Sequence, residues 1–168
     1  KTLVESFEKF GVIYNSIMSS GDELISGQGR SWQKTLGVSS KNDAEAKLTD
    51  LGYSWSWIEG DNLSVTTKTL KATKELRDGK KSFFNQVIAA SLGWKKNLQN
   101  PIPPVRFGNG KEIRQSYIEL IGELAQSLTL LRSWHDNDIL LIDNYRVMHG
   151  RKPFSGIKNR EVLVSLTN

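Results

Sequence analysis

The chain has 168 residues, 38% of them hydrophobic and 24% charged, with a formal net charge of +5. This length and apolar content suit one domain with its own core, and the lack of cysteine excludes disulfides and thiolate metal sites. No apolar run approaches the roughly 20 residues that span a bilayer, and the charged, amphipathic N-terminus is no signal peptide, so neither membrane association nor export is expected and the location expected is the cytoplasm. The lysines are dispersed, with only short pairs such as Lys80-Lys81 and Lys95-Lys96, and no nucleic-acid motif accompanies them. The positive charge therefore reads as a solvated surface rather than a nucleic-acid footprint.

Leu3, Phe7 and Phe10 recur at helical spacing, which predicts a helix over residues 2–10 ended by Gly11. Residues 12–18 read as a strand and 19–29 as a polar, Gly-rich loop. Ser40 or Asn42 is suited to cap a helix running to about Leu51, with Gly52 as its stop. Tyr53-Ser-Trp-Ser-Trp-Ile alternates large apolar with small polar residues, as a half-buried strand does. Gly60-Asp61 and Asp78-Gly79 are turn signals, and residues 63–76 and 80–85 read as strands. Asn100-Pro-Ile-Pro-Pro-Val is an irregular connection because three prolines oppose regular structure, and Phe107-Gly-Asn-Gly is a turn. The longest helix is expected over 113–131, where Ile113, Tyr117, Leu120, Ile121, Leu124, Leu128 and Leu131 recur near its period. Strands at about 138–143, 146–149 and 160–166 close the chain, with the long helix packed outside the sandwich they form. The five tryptophans read as core or sheet-face residues, Trp32 being the best placed of them for a pocket.

The run from Asp138 to Val164 carries the most chemistry. An apolar strand ends in Asp143-Asn144, a second ends in His149, a Gly/Pro loop follows, and Arg160 opens another strand eleven positions after the histidine. One imidazole and one guanidinium are thereby set at neighbouring points of a sheet, an arrangement able to hold a metal ligand and a carboxylate anchor. Each has a bland reading beside it: a histidine hydrogen-bonded or exposed near a strand end, and an arginine on the surface. Arg151 competes with Arg160 for the anchor role or sits at the rim. Asp143 and Asn144 read as the turn that presents His149, with Asp143 as a metal ligand the sharper alternative. Asn85, after two phenylalanines, is either a turn residue or a polar group facing a pocket.

This run resembles the C-terminal signature of the non-haem Fe(II)/2-oxoglutarate dioxygenases of the taurine dioxygenase (TauD/TfdA) and clavaminate synthase-like group. The resemblance extends through Gly11-Val-Ile-Tyr14, Arg30-Ser-Trp32-Gln-Lys-Thr, Ser82-Phe-Phe-Asn85-Gln and Phe107-Gly-Asn-Gly110, in the same order. It implies a mostly β fold with helices, part of a double-stranded β-helix (jelly roll) of the clavaminate synthase-like type. It also implies Fe(II) as metal, 2-oxoglutarate as co-substrate, His149 as the distal iron ligand and Arg160 as the residue gripping the far carboxylate of 2-oxoglutarate.

Three departures from the family pattern matter, the mildest being Asn109 where the family often has Asp. Only two histidines are present, and His135 is followed two positions later by Asn137, a poor anionic ligand. The facial triad of two histidines and one carboxylate is therefore incomplete. Residues 1–168 are expected to be a single domain forming the C-terminal part of such an enzyme, lacking the upstream His-x-Asp or His-x-Glu segment. The missing initiator Met favours a fragment or processed product, and an N-terminal half or partner chain is expected. Val164 stands where taurine dioxygenase-like members often carry a second arginine, which argues against a taurine-like sulfonate. The function expected is oxidation of a C–H bond in a small organic substrate. A non-catalytic binding or assembly subunit and a basic nucleic-acid-binding domain are the alternatives.

Overall fold

Alternation along Val12–Met18 (β1) decides the layout. This strand lies inside a four-stranded antiparallel sheet of order β2-β3-β1-β6, with β2 at Ser54–Ile58, β3 at Asn62–Thr66 and β6 at Val105–Phe107. The computed structural model describes residues 2–21, 30–93, 102–150 and 163–165. Register puts Val12 opposite Phe107, Tyr14 opposite Val105, and Met18 opposite Leu63. Directly opposed residues share a sheet face, so these side chains line one side together with Val65, Trp55 and Trp57.

Helices cover that side at both ends. At the β6 end, Thr2–Phe10 (α1) and Gln115–Ser127 (α4) close a core around Phe7, Val12, Tyr14, Phe107, Ile118 and Ile121. At the β2 end, Trp32–Leu36 (α2) and Lys41–Leu51 (α3) bury Trp32, Leu36, Ala44 and Leu48 against Leu63 and Val65. Of the two cap candidates it is Ser40 that caps α3, its hydroxyl accepting from the Asp43 N–H at 3.1 Å, and Gly52 ends the helix at φ 68°. Gly11 ends α1 at φ +62°, where a Cβ would lie 2.4 Å from the Leu70 carbonyl oxygen. That close approach lets Val12 and Leu70 exchange both backbone hydrogen bonds, at 2.9 and 2.8 Å.

The sheet's other side carries Ser54, Ser56, Ser64, Thr66 and Asn15. Asn15 is only 5% exposed. Its amide donates to the Pro103 carbonyl at 3.0 Å, and its carbonyl oxygen accepts from the Thr66 hydroxyl at 2.9 Å. The proline-rich connection is thus tied to the sheet by this side chain and by the Asn15 backbone N–H, which donates to the Pro104 carbonyl at 2.9 Å.

The long strands expected over 63–76 and 80–85 are shorter. Between β3 and residue 85, Leu70 makes a single bridge to Val12, and Lys74–Glu75 (β4) and Lys81–Ser82 (β5) pair as a separate hairpin. Its turn uses Asp78-Gly79, with Gly79 at φ +77° and the Lys80 N–H bonded to the Asp78 carboxylate at 3.2 Å. The expected helix over 113–131 ends at Ser127, because Leu128, Leu130 and Leu131 meet nothing to pack against and are 80%, 96% and 68% exposed.

The strands expected at 138–143 and 146–149 are not formed: these residues carry no regular secondary structure, with turns near 136–137 and 144–146. An apolar run encodes a preference for a sheet but not the neighbouring strand that must hydrogen-bond to it. Among the described residues no strand edge meets this run, so Ile139 and Leu141 stay 96% and 93% exposed. Of the third expected strand, residues 163–165 are irregular and the remainder lie outside the described residues. An antiparallel sheet with helices on one side is therefore the architecture of the described residues.

Candidate functional site

The turn Asp143-Asn144-Tyr145-Arg146 is built by its first residue. The Asp143 carbonyl accepts the N–H groups of Arg146 and Val147 at 3.0 and 3.1 Å, and its carboxylate accepts that of Tyr145 at 3.0 Å. Aspartate suits this place because its short side chain bonds the backbone two residues on. Asp143 thus acts as a turn residue, as the sequence favoured.

This turn sits on the β4–β5 hairpin, far away in sequence. The Ser82 hydroxyl donates to the Tyr145 carbonyl at 2.6 Å, and the Arg146 guanidinium bonds the Asp78 carboxylate at 3.1 Å. The Tyr145 ring lies 5.3 Å from the Phe84 ring, and the Lys74 ammonium stands 3.9 Å from the Tyr145 centroid. Backbone donation from Lys80, then the Arg146 guanidinium, hold the Asp78 carboxyl below its ordinary range. Between turn and hairpin lies a cleft of about 420 Å³ lined by Lys74, Glu75, Leu76, Arg77, Asp143, Tyr145 and Arg146. Three cations against two carboxylates make it slightly positive. Sequence reasoning marked the Asp78-Gly79 turn, the Ser82-Phe-Phe-Asn85 segment and the Asp143-Asn144 turn separately, but did not pair Ser82 with Tyr145 or Arg146 with Asp78.

His149 follows three positions after Arg146. It is exposed, and it makes no hydrogen bond among the described residues. Asn85 is half-buried: its amide donates to the Ala72 carbonyl at 2.9 Å and its oxygen accepts from the Val87 N–H at 2.9 Å, so it holds a local turn together. Phe84, its neighbour, touches Tyr145, and in this way the Phe83-Phe84-Asn85 segment and the turn before His149 are brought side by side. Arg151 and Arg160 lie outside the described residues.

His135 belongs to a separate turn. Its ring nitrogen Nδ1 is 3.6 Å from Asp138, and Asn137 adopts φ 69° in the left-handed region where asparagine is tolerated. Among the described residues no group of three or more His, Asp or Glu side chains could hold a metal ion. The donors among the described residues therefore do not make up a complete Fe(II) centre, which needs two histidines and a carboxylate together.

Trp32, the tryptophan best placed by sequence for a pocket, is instead a core residue. It is 4% exposed, donates from Nε1 to the Asp61 carbonyl at 3.2 Å and stacks edge-on to Trp57 at 5.3 Å. Asn109 closes its turn by accepting the Lys111 N–H at 3.1 Å. None of the described helices is long and apolar enough to cross a membrane.

The family model described as taurine catabolism dioxygenase TauD, TfdA family, matches residues 30–166. A clavaminate synthase-like protein of Arabidopsis thaliana is 32% identical over 165 residues, covering 97% of this chain and 49% of that protein. The dapdiamide synthesis protein DdaC of Enterobacter agglomerans is 25% identical over 179 residues, covering 98% of this chain and 51% of that protein. The chain spans about half the length of these curated relatives.

Proposed function

Because the chain belongs to the TauD/TfdA family of taurine catabolism dioxygenases, we propose that it is the C-terminal part of a non-haem Fe(II)/2-oxoglutarate-dependent oxygenase. The reaction is oxidation of a C–H bond in a small organic substrate, coupled to conversion of 2-oxoglutarate and dioxygen to succinate and carbon dioxide. A substrate other than a taurine-like sulfonate suits Val164, which stands where taurine dioxygenase-like members often carry a second arginine.

Family membership supports the dioxygenase class. The observation that carries the reading within this chain is the seat of the 143–146 turn on residues 82–84. Two segments sixty-three residues apart meet there, both inside the matched region, and they lead into Asn85 and His149. In this reading His149 supplies one neutral imidazole donor, which binds a divalent cation without adding charge. A histidine and a carboxylate from polypeptide outside residues 1–168 complete the set. The iron, when bound, supplies the activation of dioxygen.

Arg160 pairs the distal carboxylate of 2-oxoglutarate through its planar fork, with Arg151 at the rim. Asn85 offers the amide hydrogen that its bond to Ala72 leaves over. The exposure of Leu130, Ile139 and Leu141, each above 90%, supports a further stretch of polypeptide against residues 128–150, since so many large apolar side chains in one segment are seldom left in water.

The test is made on the full-length protein. His149→Ala should abolish both Fe(II) binding and turnover. Arg160→Lys should chiefly raise the 2-oxoglutarate requirement, because an ammonium keeps the charge and loses the fork. Undiminished Fe(II) binding by His149→Ala, or an unchanged co-substrate requirement in Arg160→Lys, would remove the corresponding residue from the site.

A further inference from the structure

We propose that Arg146 is a positioning residue, which with Asp78 and Tyr145 latches the 143–146 turn to the β4–β5 hairpin and so fixes where the chain delivers His149. The inference rests on the reading of His149 as a metal donor. It adds to that site a residue whose role the sequence reading did not assign.

Residues 128–150 contain no strand or helix beyond Leu128. Such a segment has no ladder of its own to fix it. The contacts that tie it to the folded body are concentrated at the turn. Arg146 spans two carboxylates, Nη1 to Asp78 at 3.1 Å and Nε to Asp143 at 3.7 Å. One guanidinium thereby joins the turn to itself and to the hairpin. Ser82 holds the Tyr145 carbonyl, while Phe84 and Lys74 hold its ring from two directions.

The chemistry suits arginine and no other cation. The planar guanidinium hydrogen-bonds Asp78 through Nη1 while its Nε edge stays within ion-pair distance of Asp143, a fixed division of one charge between two carboxylates that an ammonium does not offer. The pair is half-exposed, with side chains 46% and 39% accessible, so each link is modest by itself. The latch depends on several links closing at once.

Hydrogen–deuterium exchange on the full-length protein tests the latch, and Co(II) titration tests its consequence. Arg146→Gln and Asp78→Asn should each speed exchange of the amides at 145–149 by about threefold to fivefold. The double variant should be no faster than the worse single one, because both changes remove the same link. Amides of β1 serve as the unperturbed reference.

In Tyr145→Ala/Arg146→Gln, Co(II) affinity should fall about tenfold while β1 exchange stays unchanged, as it does when groups that orient a ligand are lost. Wild-type exchange at 145–149 in all these variants overturns the latch. Faster exchange with undiminished Co(II) affinity, where His149→Ala abolishes binding, overturns the positioning role and leaves the reading of His149 standing. Undiminished Co(II) affinity in His149→Ala itself overturns that reading, and the positioning role falls with it.

Discussion

Replacing Phe7 by alanine should destabilise the whole sheet, by removing the packing at its β6 end. Phe7 is 1% exposed. Its ring meets Phe83 edge-on at 5.0 Å and Phe107 at 5.1 Å, so it joins α1 to β6 and to the segment leading into Asn85. Truncating a fully buried phenylalanine costs about 3–5 kcal/mol, and the two ring contacts, at about 0.5–1.5 kcal/mol each, lie within that figure. In a domain of this size each kcal/mol moves Tm by about 2–4 °C, so a fall of about 6–20 °C is expected. Urea unfolding followed by far-UV circular dichroism and by tryptophan fluorescence measures it. Trp32, Trp55 and Trp57 belong to the second core, so with Trp94 and Trp134 replaced by phenylalanine in both proteins the fluorescence reports on a region that Phe7 does not touch. The two probes should move together, because β1 runs through both cores. Val4→Ala, at a site 56% exposed on the same helix, should cost under about 0.5 kcal/mol. A Phe7→Ala loss no larger than that of Val4→Ala would refute the core assignment. A fluorescence midpoint left in place would refute the cooperative link through β1.

Three further outcomes follow from the packing. Gly108→Ala would drive a Cβ to 2.1 Å from the Phe10 carbonyl oxygen and 2.5 Å from Thr69, so a loss of about 3 kcal/mol or more is expected by denaturant titration. Asn15→Leu strands the Pro103 carbonyl and the Thr66 hydroxyl and should cost about 1–3 kcal/mol; unchanged stability would show that solvent reaches both groups. Burial raises the Tyr14 phenol above its ordinary 10.0, against a smaller opposing effect of its bond with the Gln86 N–H. A raised folded value gives stability that is complete below pH 10 and lost as pH climbs through the folded pKa, so the alkaline fall in stability should be shallower in Tyr14→Phe.

Local encoding was readable wherever a short stretch closes its own hydrogen bonds. The spacing of Leu3, Phe7 and Phe10, the Ser40 cap with the Gly52 stop, the Ser-Trp alternation of β2 and the Asp78-Gly79 turn each specify geometry within a few residues. The same was true of Asp143, whose carboxylate bonds the amide two positions on. Residues 138–149 mark the limit. Their apolar composition expresses a preference for a strand, but a strand exists only when another backbone supplies the complementary row of donors and acceptors.

The sequence alone determined the family resemblance and the chemical types on offer, one imidazole near one guanidinium. Tertiary structure alone decided that Trp32 belongs to the core rather than to a pocket, and that Asn85 bonds both the Ala72 carbonyl and the Val87 N–H. It also decided that Arg146 reaches back sixty-eight positions to Asp78. The physical reason is range: caps, turns and periodicity act over a few bonds of chain, whereas burial and ion pairing depend on distances in space that the whole fold has to set.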